Sequence, residues 1–331
     1  MNDESGFPVS MILYPFFIPV FAIFVHFPVS GKIIMNLETL KIFCDVARHQ
    51  SFSLGAEANN ISQSAATQAI HRLEKQLGVS LIDRARRPFV LSPEGQLCYE
   101  GFREILENYE TIITKVQMFS NQVCGLIRVA AIYSIGLHDM SRCMRNFMKT
   151  YPKTTIRLEL LHPQKVYQAV LNGEVDLGVI SYPVASPEIN VIPLRSEEMV
   201  VVISPNHPLA RKKSLTIEEL RDIEFVGLDR DLPIRREIDR TLRQQNVRVN
   251  IVMEFDNIET IKQAIEAELG LSILPVQTVQ ASVDMGRLKA IPLVSPKMSR
   301  PIGIIHKQRK VFSVTALKFI EMLGHFPENV E

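Results

Sequence analysis

The 331-residue chain has few cysteines and no cysteine pair with the spacing of a metal or redox site. Its four cysteines are Cys44, Cys98, Cys124 and Cys143, and no two are separated by only two residues. No Cys/His cluster has the spacing of a zinc site. We therefore expect reduced, mostly buried thiols, as in a cytoplasmic protein. A redox-sensing pair is the alternative.

The sequence also lacks the short motifs of common enzyme classes. It contains no GxSxG, no HExxH, no phosphate-binding P-loop and no GxGxxG. His162 and His207 each stand next to a proline, which favours turn residues over catalytic or metal-binding groups. We expect no catalytic residue, no metal and no cofactor, and hence no enzyme.

An excess of charge of either sign is missing as well. The formal net charge is +1, so a nucleic-acid surface would have to be local. Apolar residues make up 46% of the chain, enough for sizeable cores. The length predicts two or three domains.

Residues 1–34 differ from the rest of the chain. Residues 11–29 form an almost uncharged apolar run of roughly the ~20 residues that span a bilayer, but it contains three prolines. Acidic rather than basic residues precede it, unlike in a signal peptide. Our expectation is an upstream, non-native start, with the native protein beginning at Met35. A membrane anchor is second, and a signal peptide third.

Three short helices are predicted after Met35. A one-faced apolar stripe begins at Leu37, and Ser51 and Ser53 offer N-caps for a second helix over 54–59. Ser62 caps a third helix, which ends at Gly78. Its polar face includes the candidate base-reading residues Gln63, Ser64, Thr67 and Gln68.

A basic loop and a long helix follow. Residues 83–88 lie between two short apolar segments, an arrangement typical of a wing, and its candidate phosphate contacts are Arg84, Arg86 and Arg87. Ser92 caps a helix that is predicted to reach about Gln122. An apolar seam along this helix favours a partner helix; it comprises Leu97, Ile105, Leu106, Tyr109, Ile112, Ile113, Val116 and Phe119.

From Gly125 onward, strand and helix patterns alternate. This predicts mostly parallel sheets with helices on both faces. Ligands of such sheets collect at the carboxyl ends of strands, near helix N-termini. Ser134 and Ser181 each follow a strand, and Arg235 lies close to the start of a helix. These three are the candidate effector-binding residues, and they favour a small anion such as a carboxylate.

Several motifs follow Met35: FxxVAxxxSF, ISQSAATQAIHRLEKQLGVSLI and RxxRxxxLSPEG come first, and EVDLGVI, VVISPNHPLA and GLSILP come later. In these motifs the segment from Met35 resembles the LysR-type transcriptional regulators. Ser64 stands where the family often has Pro, Gly55 where Ala is usual, and Ser272 where Gly is usual. We expect Gly55 to loosen its helix slightly.

The resemblance implies an N-terminal winged helix-turn-helix, mainly α, and a two-lobed α/β effector domain like that of periplasmic binding proteins. The implied domains are 35–93 for DNA binding, 94–122 for dimerisation and 123–331 for effector binding. Lobe I would comprise about 125–194 and 300–325, and lobe II about 195–299. The chain would cross between lobes near 194–195 and near 295–300, with the effector in the cleft.

The expected function is a sequence-specific transcriptional regulator in the cytoplasm, controlled by a small-molecule effector. Its expected partners are double-stranded DNA, that effector, and further copies of the chain in a homodimer or homotetramer through the 94–122 helix. RNA polymerase stays open as a further partner. The alternative is a membrane-anchored solute-binding receptor, against which the helix-turn-helix and wing argue.

Overall fold

The computed structural model describes residues 35–118 and 122–325. The apolar run at 11–29, on which the start-site and anchor expectations rest, lies outside these residues. Within them, no helix combines the length and the apolar character needed to cross a bilayer. The chain divides into two compact units between Arg103 and Glu104, inside a long helix.

The first unit opens with three helices, α1 (Leu37–His49), α2 (Phe52–Ala58) and α3 (Gln63–Leu77). Helix α2 begins two residues earlier than expected, because Ser51 caps it by accepting a hydrogen bond from the Leu54 amide. The cap of α3 at Ser62 and its end at Gly78 are as predicted. The apolar faces meet in one core that includes the fully buried Phe43, Ile70 and Leu73.

Gly55 lies where α1 and α2 come closest. A Cβ atom there would be 2.6 Å from the Cα of Val46, a distance that real Cβ atoms essentially never show. The loosening of the helix that we expected from the low helix propensity of glycine stays a prediction, while the structure shows that Gly55 permits the close approach of two backbones. In this chain an alanine at position 55 would force α1 and α2 apart.

The wing and the long helix complete the pattern. Strands β1 (Ile82–Asp83) and β2 (Val90–Leu91) pair antiparallel, with the basic loop between them. Helix α4 begins at Pro93, and its described part ends at Met118. Ser92 is its N-cap and accepts a hydrogen bond from the Gly95 amide at 2.9 Å. The Ser92 cap and the two wing strands lie within about one residue of their predicted positions.

The second unit is built on one large mixed sheet. Its strand order is β4-β3-β5-β12-β6-β11-β7, and β10 also pairs with β6. The strands are β3 (Gly125–Ala131), β4 (Thr154–Leu160), β5 (Leu177–Ser181), β6 (Ile189–Ile203), β7 (Leu215–Thr216), β8 (Glu224–Leu228), β9 (Asn250–Phe255), β10 (Ser272–Pro275), β11 (Lys289–Ser295) and β12 (Ser299–Lys307).

The helices of this unit cover the sheet and line its ends. They are α5 (Tyr133–Ile135), which leads through a π-helical turn at Gly136–Met140 into α6 (Ser141–Thr150), then α7 (Pro163–Leu171), α8 (Pro233–Gln244), α9 (Ile258–Glu266), α10 (Val276–Asp284) and α11 (Val314–Gly324). The sequence pattern missed α10 and β11.

The expectation of mostly parallel sheets was wrong. In the described part of this unit, four strand pairs are parallel and four are antiparallel. All the antiparallel pairs involve β6 or β12. These strands carry the chain from one lobe to the other and back, so they run against their neighbours. Two separate apolar cores confirm the two lobes.

The two crossovers lie side by side. Strand β6 is 15 residues long; its first part pairs with β12 and its last part with β10 and β11. Strand β12 pairs with β6 from Ser299 to Lys307. The lobes are therefore joined by a two-stranded antiparallel ribbon, near the predicted crossover positions.

Candidate functional site

The polar face of α3 has the surface that the sequence predicted. Gln63, Ser64 and Gln68 are exposed, and Thr67 is half-buried, while Ala66 and Ile70 on the opposite face are buried. The Thr67 hydroxyl donates to the Gln63 carbonyl at 2.9 Å. The side chain of Thr67 can thus present its methyl group, and the two glutamines their amides, to a base edge.

The three wing arginines differ in how firmly they are held. Arg87 is exposed, and Arg86 is exposed with its Nε 3.6 Å from an Asp83 carboxylate oxygen. Arg84 is bound more tightly, because its Nη2 donates to Oε2 of Glu74 at 3.0 Å and its guanidinium lies over the ring of Phe52. Of the three, Arg84 is therefore the one with an evident role inside the domain.

Glu74 is the residue that sequence reasoning missed here. It is buried on α3, and its Oε1 accepts hydrogen bonds from the amides of Leu81 (2.9 Å) and Ile82 (3.3 Å). The other carboxylate oxygen takes Arg84. A single side chain thus joins the candidate recognition helix to the wing, and the sequence offered no sign of it because the two backbone amides and Arg84 lie seven to ten residues further along the chain.

The second unit contains a cavity of about 290 Å³ between the lobes, at the ends of the strands. Lobe I lines it with Ser134 and Ser181, both predicted, and lobe II with Asn257. Apolar side chains form much of the remaining wall; they include Ile132, Leu161, Leu228, Leu232 and Ile258. On the scale of about 30 Å³ per water, the volume suits a small molecule.

Arg300, on the floor of this cavity, belongs to a buried charge cluster. Arg300 on β12 is 1% exposed, and its Nε and Nη2 both donate to Oε2 of Glu197 on β6. Its Nη1 donates to the Ser134 hydroxyl at 2.9 Å. Arg195 donates to the other Glu197 oxygen at 3.2 and 2.8 Å. Of these three charged residues, only Arg300 lines the cavity.

Three helices begin at the cavity wall. Helices α7, α8 and α9 start at Pro163, Pro233 and Ile258, all of which line the cavity. Helix N-termini favour negative charge through their dipoles. At the same place His162 of lobe I lies with its Nε2 3.3 Å from an Asp231 carboxylate oxygen of lobe II. The histidine that the sequence indicated as a turn residue also bridges the lobes.

Arg235 does not line the cavity, contrary to its expected role. It is 3% exposed, and its guanidinium donates to Asp239 and Glu254 at 2.8 Å each and to the Leu228 carbonyl. Burial disfavours the charged form of Arg235, but the hydrogen bonds to Asp239 and Glu254 outweigh burial and raise the pKa of Arg235 above its usual value. The hydrogen bond from Arg235 lowers the pKa of Glu254. The side chain turns back onto strands β8 and β9, which a position near a helix start does not reveal.

The cysteines are all free, and they differ widely in exposure. Cys44 and Cys143 are buried, Cys98 is half-buried and Cys124 is exposed, so the expectation of mostly buried thiols fails at Cys124. Burial, with the neighbouring Asp45 second, raises the pKa of the Cys44 thiol to about 12. Burial also raises the pKa of Cys98. No three potential metal ligands come together in the part of the chain that the structure describes.

Comparison with known proteins identifies both units. Residues 37–96 match the bacterial regulatory helix-turn-helix protein family of LysR type, and residues 120–327 match the LysR substrate binding domain. The chain is 30% identical over 296 residues to the HTH-type transcriptional regulator YeiE of Escherichia coli K12, covering 89% of this chain and 99% of that protein.

Solved structures agree on the fold. Full-length OxyR from Pseudomonas aeruginosa superposes with a TM-score of 0.68 at 23% identity, covering 88% of this chain and 94% of that one. The regulatory domain of CcmR from Synechocystis PCC6803, solved with 2-PG, superposes with a TM-score of 0.57 at 24% identity. The match covers 62% of this chain and 98% of that one. The helix-turn-helix, the wing and the two lobes are thus features of one family, and this chain belongs to the LysR-type transcriptional regulators.

Proposed function

We propose that this LysR-type regulator controls transcription in response to a small anion bound in the cavity between its lobes. The observation that carries the proposal is the chemistry of the cavity floor, where Arg300, Ser134 and Ser181 all line one space and the Arg300 guanidinium donates to the Ser134 hydroxyl. Helices α7, α8 and α9 add their N-terminal dipoles. CcmR, of similar fold, was solved with 2-PG in its regulatory domain.

DNA is bound by the exposed face of α3 and by the wing. Gln63, Ser64, Thr67 and Gln68 read base edges in the major groove. Phosphates are held by the wing arginines Arg84, Arg86 and Arg87, of which Arg87 is the freest.

Assembly follows from the apolar seam on α4. Six of the seam's side chains are exposed in the single chain, among them Leu97 (74%), Ile112 (60%) and Val116 (60%). Contiguous apolar surface of this kind is typical of an interface. We propose a homodimer or homotetramer through α4, whose two-fold axis matches a palindromic DNA site, and a cytoplasmic location, where that DNA is found.

A membrane-anchored solute receptor, the alternative, is not favoured. Such a receptor has no use for residues 37–96, which match a DNA-binding family. The family consists of regulators rather than enzymes.

A mobility-shift assay on the DNA upstream of the gene and of its neighbour tests the proposal. We expect binding at one site by the full chain, and a change in that binding when a small-molecule extract of the host is added. Ser134→Ala and Ser181→Ala should keep DNA binding and lose the response, whereas Ser214→Ala, at an exposed serine outside the cavity wall, should behave like the parent. DNA binding that never responds to any extract fraction would contradict the effector role.

A further inference from the structure

A polar pair joins the first two helices of the first unit. Asp45 of α1 is 9% exposed, and its Oδ2 accepts a hydrogen bond from Nδ2 of Asn59 at 2.8 Å. Its Oδ1 takes Nη2 of Arg48 at 3.0 Å. Asn59 is the C-cap residue of α2, so the bond ties the end of α2 to the inner face of α1.

The Asn59 amide group uses both of its N–H groups inside the unit. An asparagine amide has two donors. One of them binds Asp45, and the other donates to the Gly55 carbonyl at 2.8 Å. The backbone N–H of Asn59 donates instead to the Ala56 carbonyl at 3.1 Å, so the side chain provides the donor for the Gly55 carbonyl at the end of the helix. The side chain therefore has one orientation, because turning it would break both hydrogen bonds.

This pair is the second of two close contacts between α1 and α2. The first is the approach of Gly55 to Val46, which leaves no room for a Cβ atom. Asp45 and Val46 are adjacent on α1, whereas Gly55 and Asn59 are four residues apart along α2, or about 6 Å along its axis. Two helices that touch at one point can pivot about it. A second contact about one turn further along therefore fixes the angle between α1 and α2.

The turn after α2 passes this angle on to α3. Asn60 has a left-handed backbone with φ 54°, and its amide donates to the Glu57 carbonyl at 3.0 Å. The amide of Ile61 donates to the Ala56 carbonyl at 3.1 Å. These two bonds form a Schellman motif, which determines the direction of the chain as it leaves the helix. Ser62 caps α3 directly afterwards, so the direction of α3 depends on how α2 is held.

We propose that Asn59 is a positioning residue for DNA recognition, because its bonds to Asp45 and to the Gly55 carbonyl fix the angle at which α3 presents its polar face to the bases. Hydrogen bonds to base edges weaken steeply with distance and angle, so a small rotation of α3 is enough to lose them. The inference rests on the proposed function, in which α3 reads base edges, and names a residue that acts on this reading through the protein.

Four variants separate positioning from folding. Asn59→Ala removes both side-chain hydrogen bonds. Asn59→Leu also places an apolar group against the Asp45 carboxylate. Combining Asn59→Leu with Asp45→Ala gives a double variant in which both partners are apolar, a replacement that can be nearly neutral. Asn60→Gly is the matched control, since it removes an amide of the same kind from the exposed neighbouring residue and suits the left-handed backbone there.

The probe is the duplex that the parent chain selects from a pool of random sequences, and a scrambled duplex of the same composition is the non-specific reference. Both affinities are measured on the full chain by fluorescence anisotropy at fixed salt, at a temperature where circular dichroism shows the variants folded. Asn59→Ala and Asn59→Leu should bind the selected duplex about 5-fold more weakly or worse, which corresponds to one lost base contact, and the scrambled duplex like the parent. The double variant should regain most of the lost affinity. Asn60→Gly should keep the parental ratio of the two affinities.

Three outcomes in the variants overturn the assignment. They are a parental ratio of affinities in Asn59→Ala, an equal loss for both duplexes, which would indicate a structural role alone, and a double variant that binds no better than Asn59→Leu. If Asn59→Leu fails to fold, the comparison of Asn59→Ala with the parent carries the test. Failure of the proposed function shows in the parent instead, which would then select no sequence from the pool, and the role of Asn59 in DNA recognition would fall with it.

Discussion

Replacing Glu74 should detach the wing from the recognition helix. The Glu74 carboxylate is the acceptor for the amides of Leu81 and Ile82, which are 0% and 2% exposed, and it holds Arg84 at 3.0 Å. Glu74→Ala leaves both amides buried without this acceptor, at a cost of about 1–3 kcal/mol each. The total of about 2–6 kcal/mol is a large part of a domain's stability.

Glu74→Gln separates the loss of the two backbone hydrogen bonds from the loss of the ion pair with Arg84. Its amide oxygen can still accept from the two backbone amides, so the main loss is the ion pair with Arg84. The Arg84 side chain is 39% exposed, and an ion pair of that kind contributes about 0.2–1 kcal/mol. Lys75→Ala, at the next residue and on the exposed face of α3, is the control.

Hydrogen exchange of the 78–91 segment is the assay, because it reports local opening of the wing. Protection of the Leu81 and Ile82 amides should fall about 30-fold or more in Glu74→Ala, which is 2 kcal/mol expressed as a ratio, and only several-fold in Glu74→Gln. Affinity for DNA should fall for all sequences alike if the wing contacts phosphates as we propose. Unchanged protection in Glu74→Ala would show that the carboxylate does not hold the wing.

Three further predictions concern other surfaces. Gln68→Ala should change which DNA site is preferred, at a cost of about 1–3 kcal/mol at that site in a competition binding assay; an unchanged preference would remove Gln68 from the base contacts. Ile112→Asp should dissociate the oligomer, since burying the exposed 60% of each Ile112 is worth about 1–2 kcal/mol and a buried carboxylate costs more; sedimentation showing the parental assembly would contradict the α4 interface. Iodoacetamide at pH 8 should label Cys124 first and leave Cys44 unmodified in the native chain, because the thiol pKa of about 12 leaves almost no thiolate; mass spectrometry that found Cys44 labelled early would refute this.

Local signals explain what the sequence could predict. Ser62, Gly78 and Ser92 define helix ends within a few residues of themselves, and the structure places those ends where predicted. Ser134 and Ser181 follow strands directly, so the general rule for strand ends was enough to bring both to the cavity.

Pairings between residues far apart in the chain explain what the sequence could not predict. Arg300 and Glu197 are 103 positions apart, and each looks in the sequence like any solvated charge. The antiparallel ribbon of β6 and β12 likewise depends on a return of the chain after about a hundred residues, so the alternation of strands and helices suggested a parallel sheet. At Arg235 a local rule misled, since nearness to a helix start does not determine which way a long side chain turns.

The ribbon of β6 and β12 has a consequence for protein engineering. Lobe II leaves lobe I after Glu198 and returns at Ser299, and these two residues are direct neighbours across the ribbon. The two ends of lobe II are therefore paired with each other in the ribbon. Lobe II could be exchanged between regulators by joining the chains at this residue pair, without altering the order of the remaining strands. With this chain as the recipient, a graft made there would keep Glu197 and Arg300 together. The chimera should then keep the cavity floor of lobe I and take the opposite wall from the donor.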